Sequence, residues 1–221
     1  MKACRGLFLT GAALLLSGIS ANEARAEGII NGSFETGDLT GWMSNDSSFT
    51  SAELSVVKLM EPGAFFPTDG DYLGYLLSGI GEGEPTLLSQ TFEAASISIL
   101  DFNIFFDSGD GVFNDYGFAR LLDGAGGLVA ELFYRDSDSV GGVGSTNWEH
   151  VTYAFTAAGT YTLQFGVANV GDNDSFFSSA VGVDAVSLFV PEPSTFVLSS
   201  LVGLAWLGGR IAVRRRPKSS R

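Results

Sequence analysis

Hydrophobic and polar residues alternate along much of the chain between residues 27 and 190. The clearest alternation runs through the odd-numbered residues from Tyr161 to Val167, which are apolar, while the residues between them are small or polar. This period of two predicts a half-buried β-strand. The odd-numbered residues from Val151 to Phe155 alternate in the same way, just before the short turn 157–159. Two such segments joined by a glycine-containing turn predict an antiparallel hairpin.

A second apolar row consists of the even-numbered residues from Leu100 to Phe106, with Asp101 and Asn103 on the opposite side. The isoleucines just upstream have the opposite parity. Because a slip of one residue exchanges the two faces of a strand, we expect a β-bulge near Ile99. Further apolar runs predict strands at 53–59, 72–77, 87–92, 116–122, 128–134 and 181–189.

These segments are short, and glycine or serine separates most of them. No stretch outside the two termini keeps a helical period for long. About eight to ten short strands with glycine-rich turns predict an all-β fold, a two-sheet β-sandwich or jelly roll. Residues 27–190 have the length of one domain and suffice for a sizeable core.

The N-terminal region 1–26 is typical of a signal peptide. It has a basic start, an apolar run from Leu7 to Ile19, and a small-x-small sequence that ends at Ala26. These features predict cleavage by signal peptidase before Glu27 and export across the inner membrane. The alternative is a permanent N-terminal anchor. Cys4, the one cysteine of the chain, lies in this region, so the mature protein has no disulfide and no thiol nucleophile.

The C-terminal region 191–221 begins with Pro191, Glu192 and Pro193, which favour an extended backbone. The apolar run 195–213 that follows is just long enough to cross a membrane as a helix. A basic cluster ends it and should stay cytoplasmic by the positive-inside rule. The residues that would stop the segment in the membrane are Arg210, Arg214, Arg215 and Arg216.

This order of an exposed Pro-Glu-Pro motif, a short apolar span and an arginine cluster resembles the PEP-CTERM sorting signal of Gram-negative bacteria. The resemblance implies recognition at Pro191, Glu192 and Pro193 by an exosortase, a membrane enzyme similar to cysteine transpeptidases. It further implies that the protein is anchored transiently, with its domain in the periplasm, and is then released or attached at the cell surface. The alternative is a plain C-terminal membrane anchor preceded by a stiff spacer.

The predicted domain is strongly acidic. Between residues 27 and 190 the sequence has 23 acidic residues and only three basic ones, Lys58, Arg120 and Arg135. A field of this sign repels phosphate backbones and anionic lipid, which excludes nucleic acid as an expected partner. It is compatible with divalent cations, neutral glycans and simple solubility.

Three segments of the domain resemble galactose-binding-like jelly rolls, a superfamily that includes many carbohydrate-binding modules. They are the segment 30–42, with its Asn-Gly-Ser-Phe-Glu sequence, the segment 148–165, and the closing segment 181–188. The closing segment has Asp-Ala where relatives often have Asp-Asp or Asp-Asn, so one side-chain ligand of the family is missing.

The resemblance also implies a structural calcium ion where the first and last strands meet, with Glu35 and Asp184 as ligands. Calcium takes six to eight oxygen ligands, so backbone carbonyls or the nearby Asn31 and Asp38 would have to complete the site. The alternative is that Glu35 accepts a hydrogen bond within a turn and that Asp184 faces solvent.

Other acidic residues occur in the segments 107–115 and 172–174. We interpret them as solvated turn formers between strands. The alternative is that they gather at one end of the sandwich and hold a cation.

The sequence indicates a non-catalytic protein. His150 is the only histidine, and we interpret it as a surface residue of a strand. A serine-histidine-aspartate triad would need it, and no nucleophile-elbow motif is present. A glycoside hydrolase needs only two carboxylates, so composition leaves a glycan-active hydrolase open as a less favoured reading.

Exposed aromatic rings stack on the faces of sugars, and loop carboxylates and amides support such binding. The candidate ligand-binding residues are Trp42, Phe65, Phe66, Tyr72, Phe113, Phe176 and Phe177. We therefore expect an exported cell-surface or extracellular-matrix protein whose sandwich binds glycan or exopolysaccharide weakly. The alternative is a purely structural surface or biofilm matrix protein without a specific ligand.

Overall fold

The computed structural model of the chain describes residues 28–79, 81–171 and 177–191. The predicted signal peptide, the apolar run 195–213 and the arginine cluster lie outside these residues. Within them, no helix is long and apolar enough to cross a membrane.

The described chain is almost entirely β-structure, and a short 3₁₀ helix spans Asp138–Val140. The strands are β1 (Met43–Ser44), β2 (Thr50–Glu53), β3 (Val56–Val57), β4 (Ala64–Phe65), β5 (Leu73–Leu77), β6 (Thr86–Ala94), β7 (Ile99–Ser108), β8 (Tyr116–Asp123), β9 (Leu128–Asp136), β10 (Gly144–Ser145), β11 (Glu149–Ala154), β12 (Gly159–Ala168) and β13 (Ala180–Phe189).

The long strands form two antiparallel sheets that pack face to face. The first sheet has the order β1-β6-β12-β8-β9, and the second has the order β10-β7-β13-β5-β2, with β11 also paired to β7. The odd-numbered residues 163–167 of β12 and the even-numbered residues 100–106 of β7 are buried in one core between the sheets. The all-β sandwich expected from the alternation is therefore confirmed.

The hairpin expected between residues 151 and 167 is wrong. β11 pairs with β7 in the second sheet, with Val151 opposite Phe102, whereas β12 pairs with β6 and β8 in the first. Phe155 still donates its backbone N–H to Ser98 O at 2.8 Å, so the chain leaves the second sheet only after that residue. Both segments bury one face, and alternation alone does not tell which strand lies beside which.

The bulge expected near Ile99 lies instead in the neighbouring strand. The pairing of β13 with β7 shifts register between Asp184 and Ser187, and Ala185 adopts a positive φ of 54°. The change of parity upstream of β7 has a different cause, because Ile97 lies in a turn with a φ of 70°.

The strand expected at 53–59 is interrupted after Glu53, and the chain then forms the small hairpin β3–β4. This hairpin packs on the outer face of the second sheet. Its buried residues Val56 and Phe65 form a second hydrophobic cluster with Leu73 and Phe105, and Trp148 packs against that cluster. Part of the outer face of the second sheet is thus covered.

Candidate functional site

Two of the aromatic residues predicted to bind ligand are buried. Trp42 is 7% exposed, stacks on Phe34 with ring centroids 5.5 Å apart, and donates its Nε1–H to Asn31 O at 3.1 Å. Phe65 is 6% exposed, and its ring lies 3.7 Å from that of Phe105. Because protein atoms cover these rings, both residues stabilise the fold and offer no face to a ligand, which corrects the expectation for them.

The other predicted aromatics do not form one row. Phe66, Phe113 and Phe177 are exposed, Tyr72 is half-buried against the core, and Phe176 lies outside the described residues. Phe66 follows β4 above the second sheet, whereas Phe113 packs over Gly171 beyond the end of β12. Within the part of the chain that the structure describes, no ring contact joins any two of them.

A row of aromatic rings that the sequence analysis missed lies on the outer face of the first sheet. Gly117, Ala119 and Leu121 of β8 are buried, so Tyr116 and Phe118 face outward. The ring centroid of Tyr116 lies 6.2 Å from that of Phe118 and 5.9 Å from that of Tyr134 of β9. The interplanar angles are 27° and 23°. The one sequence signal for this row was the alternation along β8, because Tyr116 and Phe118 have the opposite parity to its inward-facing residues.

The ring row is supported from below and from one side. Phe118 is 2% exposed and lies directly over Gly166 of β12, where a Cβ atom would be 2.3 Å from the ring. The guanidinium of Arg120 covers Phe118 at 4.1 Å and lies 3.5 Å from Glu131. The rings available to a ligand are therefore those of Tyr134, which is 40% exposed, and of the half-buried Tyr116.

Polar side chains continue this surface across the sheet. Gln164 is paired with Arg120 on one side and Ser89 on the other. The hydroxyls of Thr91 and Thr162 are 2.8 Å apart. We call the surface formed by Tyr116, Phe118, Arg120, Glu131, Tyr134 and Gln164 the tyrosine face.

The phenol of Tyr134 keeps its proton at neutral pH. Burial raises its pKa, and the neighbouring Asp136 and Tyr116 raise the pKa further. The hydroxyl can therefore donate a hydrogen bond to a ligand. An aromatic ring with a polar tip, beside amide and hydroxyl groups, suits a ligand that has both apolar faces and hydroxyls.

The predicted calcium ligands Glu35 and Asp184 both bind the loop before β5. Glu35 Oε1 accepts the backbone N–H groups of Asp71 at 2.8 Å and Tyr72 at 2.9 Å. These donors lie 36 and 37 residues further along the chain, so Glu35 binds a distant loop and not its own turn. Asp184, which the alternative to calcium placed in solvent, is instead fully buried.

Asp184 is held by four donors. Its Oδ2 accepts the backbone N–H and the hydroxyl of Thr68 and the backbone N–H of Asp69, while Oδ1 accepts the N–H of Ala185 at 2.6 Å. Burial raises the pKa of Asp184, and these donors act against the rise. Three donors leave no lone pair of Oδ2 for a metal, so any metal contact would fall to Oδ1.

The two residues expected to complete the calcium site are engaged within their own turn. Asn31 Nδ2 donates to Asp38 O at 2.9 Å, and Asp38 Oδ1 accepts the Thr36 hydroxyl at 2.7 Å and the Thr40 N–H at 2.9 Å. The hydrogen bonds from Thr36 and Thr40 lower the pKa of Asp38. Among the described residues, no group of three or more histidine, aspartate or glutamate side chains is arranged to hold a metal ion.

The aspartates of the segment 107–115 are not solvated, which corrects the expectation for them. Asp107 is 2%, Asp110 1% and Asp115 0% exposed. Burial is the main cause that raises the pKa of Asp107, whose Oδ2 accepts the Leu59 N–H at 2.8 Å. The turn-forming role does hold for Asp110, whose Oδ1 accepts the backbone N–H groups of Val112 and Phe113. The segment 172–174 lies outside the described residues.

His150 is an exposed residue of β11, as expected. Its Nε2 lies 2.9 Å from Asp101 Oδ1, and its Nδ1 lies 3.1 Å from Asn103 Oδ1. These residues line a cleft of about 280 Å³ beside the β13 bulge, together with Ser33, Asp69 and Ser187. Because both ring nitrogens face oxygens of the neighbouring strand, the imidazole ties β11 to β7.

The sorting motif begins where the described chain ends. β13 ends at Phe189, and Val190 and Pro191 are exposed. Glu192, Pro193 and the membrane-stop residues Arg210, Arg214, Arg215 and Arg216 lie outside the described residues.

No protein-family model matches the chain, and no curated protein matches it. Solved structures do resemble it. One is TmCBM61 in complex with β-1,4-galactotriose, with 17% identity, a TM-score of 0.45, and coverage of 72% of this chain and 95% of that one. Another is the K3 cleaved adhesin domain of Lys-gingipain from Porphyromonas gingivalis, with 14% identity, a TM-score of 0.43, and coverage of 74% and 98%.

A third is the CBM22-1–GH10 part of xylanase 10B from Clostridium thermocellum, complexed with xylohexaose. It has 11% identity, a TM-score of 0.42, and coverage of 76% of this chain and 29% of that one. With TM-scores below 0.5, these likenesses say nothing of what this chain binds. The sandwich and the tyrosine face are established by the chain's own structure.

Proposed function

We propose that the sandwich is a non-catalytic module that binds neutral glycan weakly through the tyrosine face. The observation that carries the proposal is the near-parallel row of Tyr134 and Tyr116 on an outer sheet face, next to Gln164 and paired threonine hydroxyls. Flat ring faces cover the apolar side of a sugar, while amide and hydroxyl groups bind its hydroxyls.

Charge favours a neutral ligand. The region 27–190 has 23 acidic and three basic residues, and two of those basic residues, Arg120 and Arg135, are paired with Glu131 and Glu149. An anionic polysaccharide would be repelled by such a field and would find few cations to bind. The ligand class we propose is therefore neutral exopolysaccharide or another neutral glycan.

Replacing Tyr134 by alanine should weaken glycan binding about five- to tenfold, because stacking on one aromatic ring is worth about 1 kcal/mol and 1.4 kcal/mol corresponds to tenfold. Affinity electrophoresis of the protein in gels containing a panel of neutral and acidic polysaccharides measures the effect. Tyr116→Ala should weaken binding similarly.

Phe66→Ala is the matched control, since Phe66 is 65% exposed and follows the hairpin over the other sheet. If Phe66→Ala loses glycan affinity and Tyr134→Ala does not, the binding site lies at the β3–β4 hairpin instead. Failure of the unaltered protein to bind any polysaccharide of the panel would contradict glycan binding and favour the structural matrix protein.

We also propose that the protein is exported and sorted to the cell surface by an exosortase. The support comes from the sequence: the signal-peptide pattern of 1–26, the Pro-Glu-Pro motif and the apolar run with its arginine cluster. The exposed Val190 and Pro191 directly after β13 suit access by a processing enzyme.

The sorting proposal predicts that Glu192→Ala leaves an unprocessed, membrane-bound form in the native host. Immunoblotting of membrane and extracellular fractions measures the shift, with Glu93→Ala as a control on the sandwich surface. Normal processing of Glu192→Ala would contradict the sorting proposal and would leave the proposal of glycan binding unaffected.

A structural calcium ion at Glu35 and Asp184 stays a prediction. Its two carboxylates bind successive parts of the loop before β5: Asp184 accepts from Thr68 and Asp69, and Glu35 accepts from Asp71 and Tyr72. Comparison of Asp184 variants with and without calcium tests it separately from the hydrogen-bonding role of that residue.

A further inference from the structure

The core between the two sheets ends in a layer of buried polar residues. We call this layer the end cluster; its members are Ser108, Asp110, Asp115, Ser137, Asn169 and Ser179. Every one of them is at most 2% exposed. The cluster lies away from the tyrosine face, since its strand residues continue the inward-facing rows of β7, β8 and β12.

Asn169 is the first sign that the end cluster holds a ligand. It follows β12 on the side of the buried Phe165 and Val167, is 1% exposed, and has no hydrogen-bond partner on either Oδ1 or Nδ2. Leaving buried polar atoms without partners costs about 1–3 kcal/mol each. A buried amide in this state indicates that something bound in the protein satisfies it.

Asn169 lies beside a buried carboxylate. Ala168 is paired with Tyr116, so the next positions along the two strands are Asn169 and Asp115. The backbone N–H of Val170 donates to Asp115 Oδ1 at 2.9 Å, and the hydroxyl of Ser179 donates to Asp115 Oδ2 at 2.7 Å. Asn169 therefore extends toward the interior next to a negative charge.

A second unpartnered oxygen belongs to Asp110. Its Oδ1 binds the following turn, while its Oδ2 is buried without a hydrogen-bond partner. A chain of contacts connects it with Asp115: Ser108 Oγ donates to Asp110 O at 3.0 Å and lies 2.7 Å from Ser137 Oγ. The backbone N–H of Ser137 in turn donates to Asp115 O at 2.9 Å.

The charge of Asp110 also needs compensation, because its Oδ2 accepts no hydrogen bond. Burying a carboxylate costs several kcal/mol unless an opposite charge or enough donors balance it. The three basic residues of the sandwich, Lys58, Arg120 and Arg135, each form an ion pair with a glutamate. The two unpartnered oxygens of the cluster belong to a carboxylate and an amide, which hard cations such as calcium prefer as ligands.

We propose that the end cluster binds a calcium ion, with Asp110 Oδ2 and Asn169 Oδ1 as ligands and Asp115 as a balancing charge. This ion lies at one end of the core between the two sheets. It is distinct from the ion that the family resemblance implies at Glu35 and Asp184, and it does not depend on glycan binding.

Thermal unfolding of the full-length protein tests the proposal in EDTA, in millimolar calcium and in millimolar magnesium. Calcium should raise the Tm by roughly 5 °C, since a ligand well above its Kd stabilises the folded state. Magnesium should raise it less, because it requires a stricter geometry. No change of Tm with calcium overturns the proposal.

Asn169→Leu separates a cation ligand from an unsatisfied residue. In EDTA the variant should be at least as stable as the unaltered protein, because it removes two unpartnered polar atoms. In calcium it should show no rise of Tm. If Asn169→Leu keeps the full calcium shift, the end cluster is not the site.

Asn169→Asp is the second variant, in case leucine does not fit. It adds a third buried carboxylate, so the protein should be less stable in EDTA and should show a larger calcium shift than the unaltered protein. A smaller shift contradicts the proposal. Asp184→Asn is the control for the other site: a calcium shift lost in Asp184→Asn but kept in both Asn169 variants assigns the ion to Glu35 and Asp184 and overturns the end-cluster site.

Discussion

Replacing Asp184 by alanine should lower the free energy of unfolding by about 3–5 kcal/mol, because the change leaves several donors unsatisfied in a buried place. The carboxylate accepts the backbone N–H groups of Thr68, Asp69 and Ala185 and the hydroxyl of Thr68. It thereby ties the loop before β5 to the bulge of β13. Urea unfolding followed by tryptophan fluorescence measures the loss.

Two comparisons sharpen this expectation. Asp71→Ala removes an exposed carboxylate of the same loop and should change stability by less than about 0.5 kcal/mol. Asp184→Asn keeps an oxygen acceptor and should cost less than Asp184→Ala. Equal stability of Asp184→Ala and Asp71→Ala would show that the carboxylate does not hold the loop.

The Asp184 variants also test calcium at Glu35 and Asp184. A hydrogen-bonding role predicts the same loss in EDTA as in calcium, since the donors are backbone and hydroxyl groups. A metal-binding role predicts that the loss grows when calcium is added. Nearly equal losses in both conditions would contradict the predicted calcium ion.

Alternation was sufficient to find the strands that bury one face. Phe102 and Ile104 of β7 and Leu163 and Phe165 of β12 lie in the core, as their spacing predicts. Strand pairing was beyond this signal, because a half-buried strand has the same pattern whichever neighbour it has. The wrong hairpin at 151–167 has this origin. The bulge was expected near Ile99 because the turn at Ile97 changes the parity there.

The functional residues were harder to predict because residue type does not reveal exposure. Trp42 and Phe65 suit sugar stacking by chemistry, yet both are buried. Tyr116 and Tyr134 form the exposed row only because β8 and β9 are neighbours, which the sequence does not state. Asp110 was expected in solvent because it forms a turn; it does form one, but the turn is packed into the end of the core.

Gly182→Ala is the second change expected to have a large effect, a loss of about 3 kcal/mol in the free energy of unfolding. Gly182 lies in β13 opposite Phe105 of β7, and a Cβ atom there would be 2.1 Å from the Phe105 ring. The ring has no room to retreat, because it stacks on Phe65 at 3.7 Å and contacts Trp148 edge-on at 4.7 Å. Overpacking should therefore displace the β3–β4 hairpin as well.

Near-UV circular dichroism should report that displacement through Trp148, while urea unfolding gives the loss of stability. Gly159→Ala is the matched control, since its new Cβ would meet nothing closer than Tyr161 at 3.6 Å. If the clash with Phe105 is the cause, Phe105→Leu should relieve it, and the double variant should be more stable than the sum of the two single losses implies. Additive losses would instead attribute the effect to the strand itself. In that case the need for glycine at position 182 would not depend on Phe105 or on the β3–β4 hairpin that packs against it.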